Sequence, residues 1–254
     1  MLDVLLRRSL PTYAAKKYVP GPLDGLVHLV EGRRGRGKSY LMTYWTFQAW
    51  CHRVPVLTNF SVDLYRASIL LAVRGVFSRA SVAHEWLTTI GWRRIVSWDD
   101  VFQAMDAWVM LDEAHHYVDA RAFKDTPREF LAWLQQSRKV GVSVVFASQS
   151  FEFLDLRVRR LSDILWQARV VPKKDGTPKE FYYYGMDPWS KGYAEDVVRD
   201  RADFIMRVPF DVGVAKLYDT LELINPPSGE VSWRSVAEAY AGRRSAAGGR
   251  LRLG

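Results

Sequence analysis

The chain has 254 residues, 48% hydrophobic and 25% charged, with a formal net charge of +8. That is enough for one large core or two small ones, and it is not the make-up of a disordered chain. A single cysteine, Cys51, excludes an internal disulfide framework and a multi-cysteine metal cluster. No apolar run approaches the ~20 residues that a membrane helix needs. The apolar stretch at 4–6, followed by Arg7 and Arg8, does not read as a signal peptide. The basic excess is segregated. Residues 1–40 carry eight basic and three acidic side chains, and residues 240–254 carry four arginines and no acid. The stretch between is almost neutral, so a uniformly basic surface, the simplest nucleic-acid signature, is not what the sequence shows.

Residues 1–25, punctuated by Pro11, Pro20, Gly21, Pro22 and Gly25, read as an N-terminal arm. A β-rich apolar run at 26–30 enters a glycine-rich turn, and a helix is expected over 39–52. Strands follow at 54–58 and 107–111, with helices and a strand near 94–96 between them. The spacing predicts a helix over 127–139, with Pro127 in its first turn, and a buried strand at 142–147. This order predicts an α/β fold with a mainly parallel sheet and helices on both faces. Beyond it, 164–171 and 181–184 read as a β-hairpin turning at Asp175-Gly176. Residues 211–223 read as an amphipathic helix. A short helix at 232–241 and a basic tail complete a C-terminal extension over 226–254.

The sharpest motif is Gly32-Arg33-Arg34-Gly35-Arg36-Gly37-Lys38-Ser39, a full match to G-x-x-x-x-G-K-[ST] between a strand and a helix. The glycines let the backbone wrap an anion without Cβ clashes. The amides and the positive helix end then face phosphate oxygens. Residues Gly32, Gly35, Arg36, Gly37, Lys38, Ser39 and Tyr40 form the expected ATP-binding set. Lys38 reaches the β- and γ-phosphates, and the Ser39 hydroxyl holds Mg2+. Residues 26–225 are therefore read as a P-loop ATPase domain.

A second motif supports the first. The strand ending in Asp112-Glu113 puts one carboxylate beside Mg2+, through water, and a second where it can act as general base on an attacking water. His115 and His116 follow, and adjacent positions diverge too much for a shared metal, so they read as packing or loop residues. Gln149 ends the 142–147 strand near the expected γ-phosphate, where it is either a nucleotide sensor or a solvated cap. Arg138 is either an arginine finger for a neighbouring subunit or a surface arginine at a helix C-terminus. Arg157, Arg159 and Arg160 read as a solvated face, or as contacts to DNA phosphates or to a neighbour's nucleotide. Of Tyr182, Tyr183 and Tyr184, at most two share a face of their strand.

Together with Thr58-Asn59 and with Leu111-Asp112-Glu113-Ala114-His115, the phosphate loop resembles the zonular occludens toxin (Zot) domain of filamentous-phage assembly ATPases. Residues 136–149 and 154–161 are similar to the wider FtsK–HerA family of DNA-pumping ATPases. Phe210-Asp211 and the stretch at 215–220 resemble the closing segment of the Zot domain. The resemblance spans roughly 26–222. It implies an oligomeric, ring-forming ATPase that moves viral DNA in genome packaging or virion extrusion. It also implies a trans-acting finger at Arg138 and a sensor at Gln149. Phage assembly proteins of this type normally continue into a membrane helix, and this sequence has none: it is a soluble packaging-type ATPase, or the anchor lies on another subunit, or the sequence is a truncated piece. The expected setting is therefore the host cytoplasm or the virion, or the periphery of a membrane or capsid vertex, with a capsid, portal or membrane-protein partner. The alternatives are an assembly scaffold ATPase that pumps no DNA, and a small-molecule kinase with the 157–160 cluster as its lid.

Overall fold

Nine strands join in one sheet in a computed structural model that describes residues 16–17, 25–122, 124, 126–189 and 202–218. The strands are β1 (Lys16–Lys17), β2 (Val27–Glu31), β3 (Val56–Thr58), β4 (Trp92–Arg94), β5 (Trp108–Leu111), β6 (Ser143–Ser148), β7 (Ile164–Pro172), β8 (Pro178–Met186) and β9 (Phe204–Pro209). Their spatial order is β1-β9-β8-β7-β2-β6-β5-β3-β4. The six strands from β7 to β4 are parallel, while β7, β8 and β9 form an antiparallel meander. Every residue of β5 and β6 is buried, as expected of parallel strands covered on both faces. β8 alternates toward its middle, in keeping with its antiparallel pairing.

The helices are α1 (Lys38–Cys51), α2 (Leu64–Val73), α3 (Ala80–Trp86), α4 (Trp98–Phe102), α5 (Arg128–Leu134), α6 (Leu156–Arg160) and α7 (Val212–Ala215). One core packs Leu41, Trp45 and Trp50 of α1, with Leu71 and Ala83, against Val56, Met110 and Val145. The other packs Trp98, Phe102, Phe130 and Trp133 of α4 and α5 against Leu57, Val109 and Val144. Helices thus cover both faces, as the sequence order predicts. His28, the second residue of β2 and fully buried, stacks on Trp108 at 5.7 Å and accepts a 3.1 Å hydrogen bond from the Trp166 indole. The strand that carries the phosphate loop is therefore anchored to its neighbours by side chains as well as by the ladder.

Several elements differ from expectation. The helix predicted over 127–139 stops at Leu134 and resumes as a 3-10 turn over Ser137–Val140. The Ser137 hydroxyl donates back to the Leu134 carbonyl at 3.0 Å, which competes with the helical ladder, and Gly141 at φ 70 closes the turn. The strand near 94–96 lies two residues earlier, at β4. The predicted hairpin gains a third strand, β9, whose Met206 and Val208 are buried on one face. Of the helix predicted over 211–223, the described residues form the single turn α7, capped by the Asp211 carboxylate on the Gly213 and Val214 amides, and 219–223 lie outside the described residues. The chain then turns so that Tyr218 bridges Val62. The expected helix at 232–241, the basic tail and most of the N-terminal arm lie outside the described residues.

Asp100 caps α4, accepting from the Val96 and Ser97 amides and the Ser97 hydroxyl while pairing with Arg93. Burial alone would raise its pKa, but these donors outweigh burial and hold the carboxyl below its ordinary value of 3.8. A depressed pKa adds stability above the unfolded value, and that stability is lost as pH falls through the folded one. Asp100→Asn should therefore destabilise the fold by about 1–3 kcal/mol at pH 7. The difference should shrink as the medium is acidified below the ordinary carboxylate pKa. Urea unfolding of both proteins at neutral and acid pH measures it.

Candidate active site

β2 ends at Glu31, the chain turns through Gly32–Gly37, and α1 starts at Lys38. Gly37 has φ 99, and a Cβ there would lie 2.3 Å from the Phe181 ring, so only glycine fits. Its carbonyl accepts from the Tyr183 hydroxyl at 2.9 Å and from the Leu41 amide at 3.0 Å. Gly35, at φ 76, has open space around it and serves backbone conformation alone. The first turn of α1 carries no acidic residue, so its amides and positive dipole end face the loop without an internal anion. Lys38 is 7% exposed. Arg33, Arg34 and Gly35 are exposed, and Arg36 is half-buried.

β5 brings the acids to this loop. The Ser39 hydroxyl donates to the Asp112 carboxylate at 2.8 Å, and the Tyr218 hydroxyl reaches the same oxygen at 3.3 Å. Asp112 is 1% exposed, and burial pushes its carboxyl above the ordinary range. Asn59, directly after β3, clamps its backbone. The Asn59 amide donates to the Asp112 carbonyl, its carbonyl oxygen accepts from the Asp112 amide, both at 2.8 Å, and it donates to the Tyr117 hydroxyl at 2.7 Å. A buried carboxylate beside a hydroxyl is a hard-oxygen donor pair of the kind Mg2+ takes. Among the described residues no group of three histidine, cysteine or acidic ligands stands together.

Glu113 follows in left-handed backbone, φ 45 and ψ 46, a conformation that a non-glycine residue keeps only under constraint. Its amide donates to the Asp112 carboxylate at 2.9 Å. Because β6 lies between β2 and β5, Gln149 emerges between the phosphate loop and Glu113. Gln149 is exposed and lines two clefts. One, of about 230 Å³, is shared with Glu31, Arg36, Gln167 and Arg169, and the other, of about 400 Å³, with His115, Asp119 and Glu152. Burial raises the Glu31 pKa, although it accepts from the Phe151 amide at 3.3 Å and Gln167 at 3.4 Å.

Other expected residues lie elsewhere. The Tyr40 side chain stacks on Phe181 at 4.6 Å, donates to the Pro209 carbonyl and accepts from the Asp211 amide. Its role is to join α1 to the meander. Arg138 is exposed, with its aliphatic stem against Gly25, at the end of β2 opposite to the phosphate loop. A five-residue strand separates it by ~16 Å from its own loop. Arg157 pairs with Asp155 at 2.5 Å and Arg159 lies over the Phe151 ring, so both serve the local fold. Asn59 entered only as part of the family resemblance, with no role of its own, and Phe181 and Tyr183 were not expected as site residues. Alternation placed Phe181 and Tyr183 on one face, but not against the loop.

A parallel sheet whose central strand enters a glycine-rich loop and helix, with an acidic strand two places away, defines a P-loop NTPase fold. The sequence model described as "Zonular occludens toxin (Zot)" matches residues 27–174, and the chain belongs to that family. It is similar to the N-terminal domain of zonular occludens toxin from Neisseria meningitidis, at 18% identity and TM-score 0.47, over 76% of this chain and 98% of that one. It is also similar to the genome packaging NTPase B204 from Sulfolobus turreted icosahedral virus 2, at 11% identity and TM-score 0.42, over 76% and 100%. No curated protein is significantly similar in sequence. No helix among the described residues is long and apolar enough to cross a membrane.

Asn59→Ala should destabilise the protein by about 2–4 kcal/mol, the sum of three buried hydrogen bonds. Urea unfolding at pH 7 checks it, and a change below ~0.5 kcal/mol would show that the clamp contributes nothing.

Proposed function

We propose that this chain is an ATPase whose turnover drives viral DNA movement in genome packaging or virion assembly, working as a ring of identical subunits. The observation that carries the nucleotide half is the 2.8 Å bond between Ser39 and Asp112, which joins the phosphate loop to the acidic strand. The DNA half rests on membership of the Zot family. In this reading the loop amides and Lys38 hold the β- and γ-phosphates. Ser39 and Asp112 would hold Mg2+, which when bound offsets charge on the phosphates. Glu113 accepts the proton of the attacking water. Gln149, between the loop and Glu113, contacts the γ-phosphate and reports its loss. Arg138, remote from its own loop, reaches the nucleotide of the next subunit and stabilises charge in the transition state.

The second reading is a scaffold ATPase that assembles particles without pumping DNA. ATPase assays with and without DNA separate the two. The wild type should hydrolyse ATP, faster with DNA. Lys38→Ala should lose nucleotide binding. Glu113→Gln should bind ATP but turn over about 10²–10⁴-fold more slowly. Arg138→Ala subunits should depress the activity of wild-type subunits mixed with them. Hydrolysis indifferent to DNA would favour the scaffold, and phosphotransfer to a metabolite would favour the kinase.

A further inference from the structure

The turn after β5 holds two buried polar atoms that nothing satisfies. Glu113 Oε2 and His115 Nδ1 are both sealed from solvent, and neither has a hydrogen-bond partner among the described residues. They face each other at 3.5 Å, too long for a hydrogen bond and close enough to become one with a small movement. Buried groups of this kind carry a penalty until they are paired.

The surroundings restrict how His115 can move. Its ring packs on His116 at 4.2 Å and edge-on to Phe153 at 6.1 Å. The segment after His115 is stitched to the segment after Gln149: Asp119 bridges Leu154, the Ala120 amide donates to the Phe153 carbonyl at 2.8 Å, and the Asp155 amide donates to the Val118 carbonyl at 2.7 Å. His115 is thus held on a seam, with Glu113 on one side and the cleft it shares with Gln149 on the other. Burial, with His116 beside it, holds His115 below the usual imidazole pKa. At neutral pH the ring is then uncharged and donates from one nitrogen only.

We propose that His115 is a positioning residue for Glu113: its Nδ1–H closes onto Glu113 Oε2 and fixes the carboxylate so that Oε1 addresses the attacking water. Catalytic hydrogen bonds often tighten only when substrate binds, and 3.5 Å is a separation that a small movement closes. The left-handed backbone of Glu113 supplies the constraint on one side, and the His115 ring supplies it on the other. The proposal rests on the reading of Glu113 as general base.

The test compares steady-state ATPase kinetics and fluorescent-ATP affinity of the full chain and its variants. His115→Ala should lower kcat by about ten- to a hundredfold, the effect of a misplaced reacting group, with KM within about twofold. His115→Asn puts an amide near the Nδ1 position and should recover most of the loss. His115→Gln puts it near Nε2 and should not. A merely structural role would not rank these two variants. With Glu113→Gln already present, His115→Ala should have no further effect. The proposal is overturned if His115→Ala keeps wild-type kcat, or if Asn and Gln are equally active. It is overturned too if His115→Ala slows the Glu113→Gln protein as much as it slows the wild type. If His115→Ala fails to fold, the Asn and Gln variants decide alone. Full turnover by Glu113→Gln is a separate failure, which removes the base assignment itself and this proposal with it.

Discussion

The hydrogen bond from Ser39 to Asp112 places a hydroxyl from the start of α1 against a carboxylate from the end of β5, and most of the fold is needed to bring them together. β5 must lie two places from β2, with β6 between, or the carboxylate would miss the helix. The carboxylate is almost fully buried, and burial opposes its charge. It is tolerated because the Ser39 and Tyr218 hydroxyls and the Glu113 amide donate to it, while the Asn59 clamp fixes the main chain that carries it. A cation beside it would offset the buried charge, which is the physical argument for the metal in the proposed reading.

The antiparallel meander is the second support. Phe181 fills the space a Cβ on Gly37 would need, and Tyr183 holds the Gly37 carbonyl. Tyr40 stacks on Phe181 and bonds the end of β9, while Asp211 beyond it caps α7 and pairs with Arg74 at 2.9 Å. The phosphate loop therefore has a rigid back wall built from residues more than 140 positions later in the chain. The loop's own basic residues, Arg33, Arg34, Arg36 and Lys38, account for part of the basic excess near the N-terminus. Arg157 and Arg159, which on charge alone could meet an external anion, are engaged within the fold.

The parallel half was legible because its strands are short apolar runs between glycine-rich or acidic ends. Those ends mark where the chain leaves the sheet, and that is where chemistry collects. The meander was only half legible. β9 is a short run in which Met206 and Val208 alternate with exposed residues, too weak a signal without its partner β8. The helix predicted over 127–139 failed at Ser137, where a local side-chain bond defeated a continuous pattern. Within 211–218 the predicted helix is limited to the turn that Asp211 caps, after which Tyr218 is drawn to Val62 and toward Asp112.

By itself the sequence determined the fold class, the phosphate loop and the pair Asp112-Glu113, since each is a contiguous pattern whose chemistry depends on local order. Only the tertiary structure decided which residues face that loop. It engaged the Tyr40 side chain with the meander, set Arg138 at the end of β2 opposite to the loop, and brought Asn59, Tyr183 and His115 to the site from three separate segments. Contacts between distant segments follow from strand order and packing, and a sequence pattern carries no distance between elements that meet only when the sheet closes.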